Sequence, residues 1–355
     1  MDLLGKIRNK KILILFSLLP FFAIFFMQSC GSDSKKDTAP KLEKKTTAID
    51  YLQDQNTKVF IPQFNSDSAY YFIKQQVDFG PRVPNSIAHQ NCYLYLKKKL
   101  SNYGASIIVQ EDTVRRFDGE ILNMKNIIGS FNVEQKNRIL LCAHWDSRYI
   151  ADQDTDRMND PIDGANDGGS GVGVLLEIAR QMNINNPNIG IDIIFFDIED
   201  QGQGGEGVDN PLSWCLGSQY WSSNLHTDNY QARYGILLDM VGGANAVFVP
   251  DYHSKYYAPE LVEKVWAKGI EGGYMDYFEK SAGEDYFLLD DHVMINEISA
   301  INGRHIPTID IIEYDNSNDH TFNEHWHTHD DNMENIDKNT LKAVGQTVLN
   351  FIYNE

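Results

Sequence analysis

Four short apolar runs, at 138–143, 191–196, 235–238 and 307–312, constrain this chain more than any other feature. They read as buried strands. Around them lie helical patterns at 66–76, 87–100, 170–182, 259–268 and 338–353, the third opened by a Gly-rich turn. Strands alternating with helices predict a three-layer α/β/α fold around a central, twisted, mostly parallel mixed sheet. At 355 residues the chain is within reach of one large α/β unit. Sites in such sheets gather beyond the carboxyl ends of the strands. His144 and Asp146 follow the first run, Asp197, Glu199 and Asp200 the second, and Asp239 the third.

Phe195-Phe196-Asp197-Ile198-Glu199-Asp200 places two adjacent carboxylates just past an apolar strand. Like charges so close suppress each other's ionisation. A divalent cation removes that penalty for the carboxylate that binds it, and leaves the other to act as a base. From the pair alone the two roles are interchangeable. Asp163-Gly164-Ala165-Asn166-Asp167-Gly168-Gly169-Ser170-Gly171 is a tight turn before a helix. No Lys-Ser/Thr pair follows and the glycines miss the dinucleotide spacing, so a phosphate cradle is rejected. The turn then serves to aim Asp167 inward. In His325-Trp326-His327-Thr328-His329 three alternating histidines share a direction if extended, and any of them suits a metal. Zinc takes His and carboxylate ligands and keeps a position open in catalytic sites.

The net charge of −19 argues against nucleic acid and against a basic membrane-surface patch. Lys6, Arg8, Lys10 and Lys11 precede an apolar stretch at 12–26 interrupted by Ser17 and Pro20, the pattern of a secretory leader. Ser29-Cys30-Gly31 then resembles a bacterial lipobox. That resemblance implies a lipoprotein signal peptide over 1–29 and lipidation of Cys30. The polar stretch that follows, rich in Ser, Asp, Lys and Thr, reads as a flexible tether over 30–47, and the globular pattern after it as one catalytic domain over 48–355. The mature chain would be exported and membrane-anchored, periplasmic or at the cell surface. Three cysteines remain, an odd count that cannot complete a disulfide framework. Cys142 reads as a buried small hydrophobe, and pairing of Cys92 with Cys215 stays open.

The joint set His144-Trp145-Asp146-Ser147-Arg148, Asp163 to Asp167, Phe195 to Asp200, Leu238-Asp239-Met240 and Trp326-His327-Thr328 occurs in the order of the zinc aminopeptidase clan. Trp326 before His327, Asp330-Asp331-Asn332 beyond it, Asp290-Asp291-His292 and Phe79-Gly80-Pro81-Arg82-Val83-Pro84 resemble its glutaminyl cyclase branch. The resemblance covers nearly all of 60–355. It implies that Asp167, Asp200 and His327 hold one zinc, that Glu199 is the base, and that Asp239 and Asp290 complete a hydrogen-bond network. Trp326, Phe322, Leu289 and Trp214 would line the substrate pocket. Asp200 stands where many relatives carry Glu, so its loop must sit closer to the metal. The implied activity is that of an acyltransferase: cyclisation of an N-terminal Gln of peptides or proteins to pyroglutamate, with release of ammonia, by a monomer that meets the membrane only through its lipid.

Two other readings stand beside this one. A two-zinc aminopeptidase of the same clan would place its second ion on His144 and Asp239. A non-catalytic binding homologue would keep the fold without the chemistry. Asp152, Asp154, Asp156, Asp160 and Asp163 loosely match a calcium loop, but Arg157 replaces the needed Gly, and a solvated acidic loop is expected. His325 and His329 are expected at the surface or behind the ligands. His89, His226, His253, His305 and His320 carry no signal, and Trp145, Trp221 and Trp266 read as core or boundary aromatics.

Overall fold

The computed structural model describes residues 60–205, 210–281, 286–317 and 321–355. The leader, Cys30 and the tether lie outside the described residues. Val59–Glu355 forms one compact unit.

All four anticipated strands are present. They are β3 (Arg138–His144), β4 (Gly190–Phe196), β5 (Tyr234–Asp239) and β6 (Thr308–Ile312). A hairpin of β1 (Ser106–Arg115) and β2 (Ile121–Phe131) precedes them, and the sequence reading missed it. The six strands run in the order β1-β2-β4-β3-β5-β6. β3 pairs parallel with β4 and β5, and β5 with β6, while the hairpin joins antiparallel through β2 and β4.

Alternation along the central strands sends side chains into two cores. Ile139, Leu141, Ile191, Ile193, Phe195, Ile236 and Leu238 enter the larger one. Leu140, Cys142, Ile194, Phe196 and Leu237 enter the smaller one with Trp221 and Ile295. Against the larger core pack α1 (Ser66–Val77), α2 (Ile87–Asn102), α3 (Gly169–Ile184), α6 (Pro259–Glu271) and α8 (Lys338–Ile352). Against the smaller pack α4 (Leu216–Ser223) and α7 (Asp291–Ile301). A short α5 (Tyr252–Tyr257) follows β5. This is the expected three-layer α/β/α architecture. No helix of the described residues is long and apolar enough to cross a membrane.

The five anticipated helices form within a few residues of their expected ends. Each of α1, α2 and α8 begins at a side-chain cap, from Asn65, Ser86 and Asp337 respectively. α3 has no such cap; it starts from Gly168 at φ 84°. A Cβ there would meet the Asp146 carbonyl oxygen at 2.4 Å, so only glycine lets the turn lie this close to β3. Trp145, Trp221 and Trp266 are buried as expected.

Candidate metal centre and active site

The loops after β3, β4, β5 and β6 and the turn before α3 bring the predicted residues together. Asp167 leaves the Gly-rich turn, whose conformation is fixed from behind by Asp331. The Asn166 and Asp167 backbone N–H groups donate to its two carboxylate oxygens at 2.6 and 3.0 Å. The turn after β4 is held in the same manner. Glu199 and Asp200 backbone N–H groups donate to Asp146 at 3.1 and 3.3 Å. Both acidic loops are therefore shaped by a buried carboxylate that itself faces away from solvent.

His327 Nε2 lies 3.2 Å from Asp200 Oδ1 and 3.6 Å from Asp167 Oδ2. Its ring stacks on Trp326 at 3.8 Å and lies nearly parallel to Trp214 at 6.1 Å. Asp167 also reaches His144 Nε2 at 3.0 Å, and His144 Nε2 reaches Asp239 Oδ1 at 3.2 Å. Two three-residue groups thus have ligand atoms within 4.8 Å of one another: Asp167, Asp200 and His327, and His144, Asp167 and Asp239. Asp167 belongs to both. His325 and His329 stay outside the first group; His329 Nδ1 contacts Asp154 at 2.7 Å.

The electrostatics suit a cation in the first group. Burial, then the neighbouring Asp167, push the Asp200 carboxyl above its usual range. Its Oδ2 is buried without a hydrogen-bond partner. Burial also works against ionisation of Asp167, but His144 beside it wins and holds that carboxyl below its ordinary value. A buried oxygen without a donor is costly, and two adjoining carboxylates more so. A divalent ion removes both costs, and one nitrogen with two carboxylates is a donor set that zinc accepts with a position left open.

Glu199 and Asp200 are told apart by what they face. Asp200 turns to His327 and is gripped by Arg148, whose Nη1 donates to its carbonyl at 2.9 Å and lies 3.3 Å from its Oδ1. Glu199 receives the Cys215 thiol at 3.1 Å and lines the pocket. Burial pushes its carboxyl well above the usual range, and Asp290, Asp200 and Asp291 add to this against His144. Asp239 is raised to about 7, again chiefly by burial. A carboxyl with raised proton affinity is suited to accept and return a proton near neutral pH.

A cavity of about 180 Å³ is lined by Asp167, Glu199, Asp200, Trp214, Asp239, Leu289, Asp290, Phe322, Trp326 and His327, together with Met240, Leu288 and Ile312. Every predicted site residue that the structure describes lines it, apart from His144 behind Asp167 and Asp239. Trp214 is drawn in by Gly202, where a Cβ would fall 2.0 Å from the indole. A larger trough of about 780 Å³ runs past Glu313 and Asp315. It holds none of these groups, so chemistry rather than volume identifies the site.

Three residues carry structural roles the sequence did not reveal. Asp152, grouped by sequence with solvated acids, contacts His327 Nδ1 at 2.9 Å and pairs with Arg148. Cys215 touches Glu199. His89 reaches Asp197 at 2.9 Å and stacks on Trp145 at 4.2 Å. The three described cysteines are all buried free thiols, so Cys92 and Cys215 are not paired.

Backbone strain also concentrates here. Ten non-glycine residues of the described chain have positive φ; four of them, Ile198, Cys215, Met240 and His327, sit in or beside the site. A β-branched residue such as Ile198 at φ 56° is especially unfavourable.

Comparison with known proteins identifies the family. The sequence pattern of peptidase family M28 matches residues 126–352. Glutaminyl cyclase of Bacteroides thetaiotaomicron, solved bound to N-acetylhistamine, is 51% identical with a TM-score of 0.79, covering 83% of this chain and all of that one. A Zn-dependent exopeptidase from Parabacteroides distasonis is 52% identical, also at TM-score 0.79, with 83% of this chain and 100% of that chain covered. Glutaminyl-peptide cyclotransferase of Gloydius blomhoffii is 24% identical over 298 residues, 76% of each chain. With most of its folded unit matched by the family pattern and about half of the aligned residues identical in solved structures, the chain belongs to peptidase family M28.

Proposed function

We propose that the chain is a zinc-dependent glutaminyl-peptide cyclotransferase. The observation that carries this reading is the small pocket itself. Glu199 faces it beside Asp167, Asp200 and His327, and Trp214, Phe322, Trp326 and Leu289 wall it with apolar surface. A cavity of about 180 Å³ has room for one short side chain, not for a run of residues. Solved relatives that carry the cyclase name share about half of the aligned residues.

Asp167, Asp200 and His327 would hold one zinc, which when bound polarises the side-chain carbonyl of the substrate glutamine. The remaining work falls to the chain. The aromatic wall holds the glutamine side chain curled against its own α-amine and keeps water out. Glu199 takes a proton from that amine as its nitrogen bonds to the amide carbon. It returns the proton to the amide nitrogen, whose bond to the same carbon breaks to release ammonia. Asp290, a pocket neighbour that raises the proton affinity of Glu199, and Asp239 stabilise the proton in transit. No water enters the balance.

The second reading, a two-zinc aminopeptidase, is favoured by one specific observation: His144, Asp167 and Asp239 also converge. Incubation with a Gln-initiated peptide separates the two. The cyclase reading expects one ammonia per peptide and the matching mass loss, with one zinc per chain. Release of a free amino acid, or two zincs per chain, would support the aminopeptidase. The binding-protein reading requires that Glu199→Gln leave turnover unchanged; the cyclase reading expects a loss of about 10²–10⁴-fold.

We also propose that the protein acts outside the cytoplasm as a lipoprotein anchored through Cys30, on peptides or proteins that begin with Gln, as a monomer. Labelling with a fatty acid that is lost in Cys30→Ser tests the anchor.

A further inference from the structure

Cys215 occupies an unusual position for a cysteine. It precedes α4 at φ 57°, a left-handed conformation that costs a residue with a Cβ. Its backbone is clamped to the acidic loop: Cys215 N–H donates to the Glu199 carbonyl at 2.9 Å and Leu216 N–H to the Ile198 carbonyl at 3.0 Å. Ile198 is itself left-handed at φ 56°. Each of the two backbone hydrogen bonds thus has one strained residue at one end. The result is that the fully buried thiol points at Glu199, with Sγ 3.1 Å from Oε1.

That contact is the one side-chain hydrogen bond to the Glu199 carboxylate among the described residues. The acids around it include Asp290, Asp200 and Asp291, which repel it when ionised. A long flexible carboxylate among like charges has no reason to hold one rotamer. A protonated thiol supplies the missing donor. Burial pushes the Cys215 thiol well above its ordinary range, with Glu199 adding to the shift, so the proton stays on sulfur. The same burial argues against a nucleophilic role, because the thiolate is the reactive form. A thiol is a weaker donor than a hydroxyl. It orients the carboxylate with little loss of the proton affinity that the base needs.

We infer that Cys215 is a positioning residue for the base: its thiol occupies Oε1 of Glu199, so that Oε2 is the oxygen turned to the substrate. This rests on the cyclase reading for its catalytic consequence, though not for its geometry. The thiol is neither ligand nor nucleophile; it sets the aim of the group that moves the proton.

The test compares wild type, Cys215→Ala and Cys215→Ser in zinc content, thermal midpoint, kcat and KM on a Gln-initiated peptide, with crystal structures of wild type and the Ala variant. Cys215→Ala is expected to lower kcat roughly ten- to a hundredfold, the scale of a slightly misplaced catalytic group, with KM and zinc content held. Cys215→Ser, which keeps a donor, is expected to recover most of it. The crystal structures are expected to show Oε1 on sulfur in the wild type and a displaced or multiple Glu199 rotamer in the variant. Full kcat in a zinc-loaded Cys215→Ala protein overturns the inference. So does an unmoved Glu199, or a folded Ser variant as impaired as Ala. If the wild type releases no ammonia from any Gln-initiated peptide, the cyclase reading fails, and the Glu199 rotamer still decides the role of Cys215.

Discussion

Asp152 Oδ1 lies 2.9 Å from Nδ1 of His327, while Nε2 of the same ring faces Asp200 and Asp167. The carboxylate is held in turn by Arg148 at 2.8 and 2.6 Å, and that guanidinium also donates to the Asp200 carbonyl and stacks over Trp214 at 4.5 Å. One ion pair thus braces two of the three candidate ligands and one pocket wall. Nδ1 makes no aligned hydrogen bond in this structure, but an acid this close needs only a small turn of the ring to fix the tautomer and leave Nε2 free for a metal. Asp152→Asn is expected to weaken zinc binding about 10–100-fold, read by competition with a chelator. An unchanged affinity would show that the contact does not orient the ligand.

Arg82 ties the segment before α2 to the site loops. Fully buried, it donates to the carbonyl oxygens of Trp145 at 3.2 Å, Gly164 at 2.7 Å and Asp163. Each buried acceptor left without a partner costs about 1–3 kcal/mol. Arg82→Met keeps much of the bulk and removes all three donors, so urea unfolding should show a loss of about 3 kcal/mol or more. A loss under about 1 kcal/mol would mean that the loops find other donors.

Glu313 supplies a pH dependence away from the candidate metal. Burial raises its carboxyl from 4.5 to about 7, against the opposing pull of the Asn323 and Asn166 amides. The folded state therefore holds this proton more tightly than the unfolded state. Stability from this group is whole below about 4.5 and is lost as pH rises through about 7. Glu313→Gln should gain stability relative to wild type near pH 8, by up to about 3 kcal/mol, and not near pH 4. Equal differences at the two pH values would refute the assignment.

Gly171 sets two effects of opposite sign against each other. Alanine favours an exposed helix by about 1 kcal/mol over glycine. Here the added Cβ would meet the Leu238 carbonyl oxygen at 2.1 Å and Ala143 Cβ at 2.9 Å. Overpacking against backbone costs about 1–3 kcal/mol or more, so Gly171→Ala should be net destabilising in thermal unfolding. A stabilised variant would mean that α3 can move off β3 and β5 freely.

Legibility in the sequence followed burial. β3 to β6 were readable because continuous apolar runs mark strands covered on both faces. β1 was not: its Gln110-Glu111-Asp112-Thr113 stretch lies at a half-exposed sheet edge, and polar residues there carry no clear period. The acids at strand ends were visible as a pattern, but residue type alone could not separate Glu199 from Asp200. Their difference lies in what each faces, and His327 and Cys215 are far from them in sequence. Asp152 was hidden by its company, one of five acids within a dozen residues, because composition cannot show which of them turns inward. The local sequence around Cys215 carried no sign that a left-handed residue would point its sulfur at the base.

The four left-handed residues around the pocket mean that its alignment is imposed from outside. Ile198, Cys215, Met240 and His327 would each relax to another conformation if the surrounding layers loosened their hold. The pocket behaves as a set spring, and its accuracy is borrowed from the sheet and helices behind it. Loss of aim should come before loss of fold: with rising denaturant, turnover ought to fade while the helical circular dichroism is still intact.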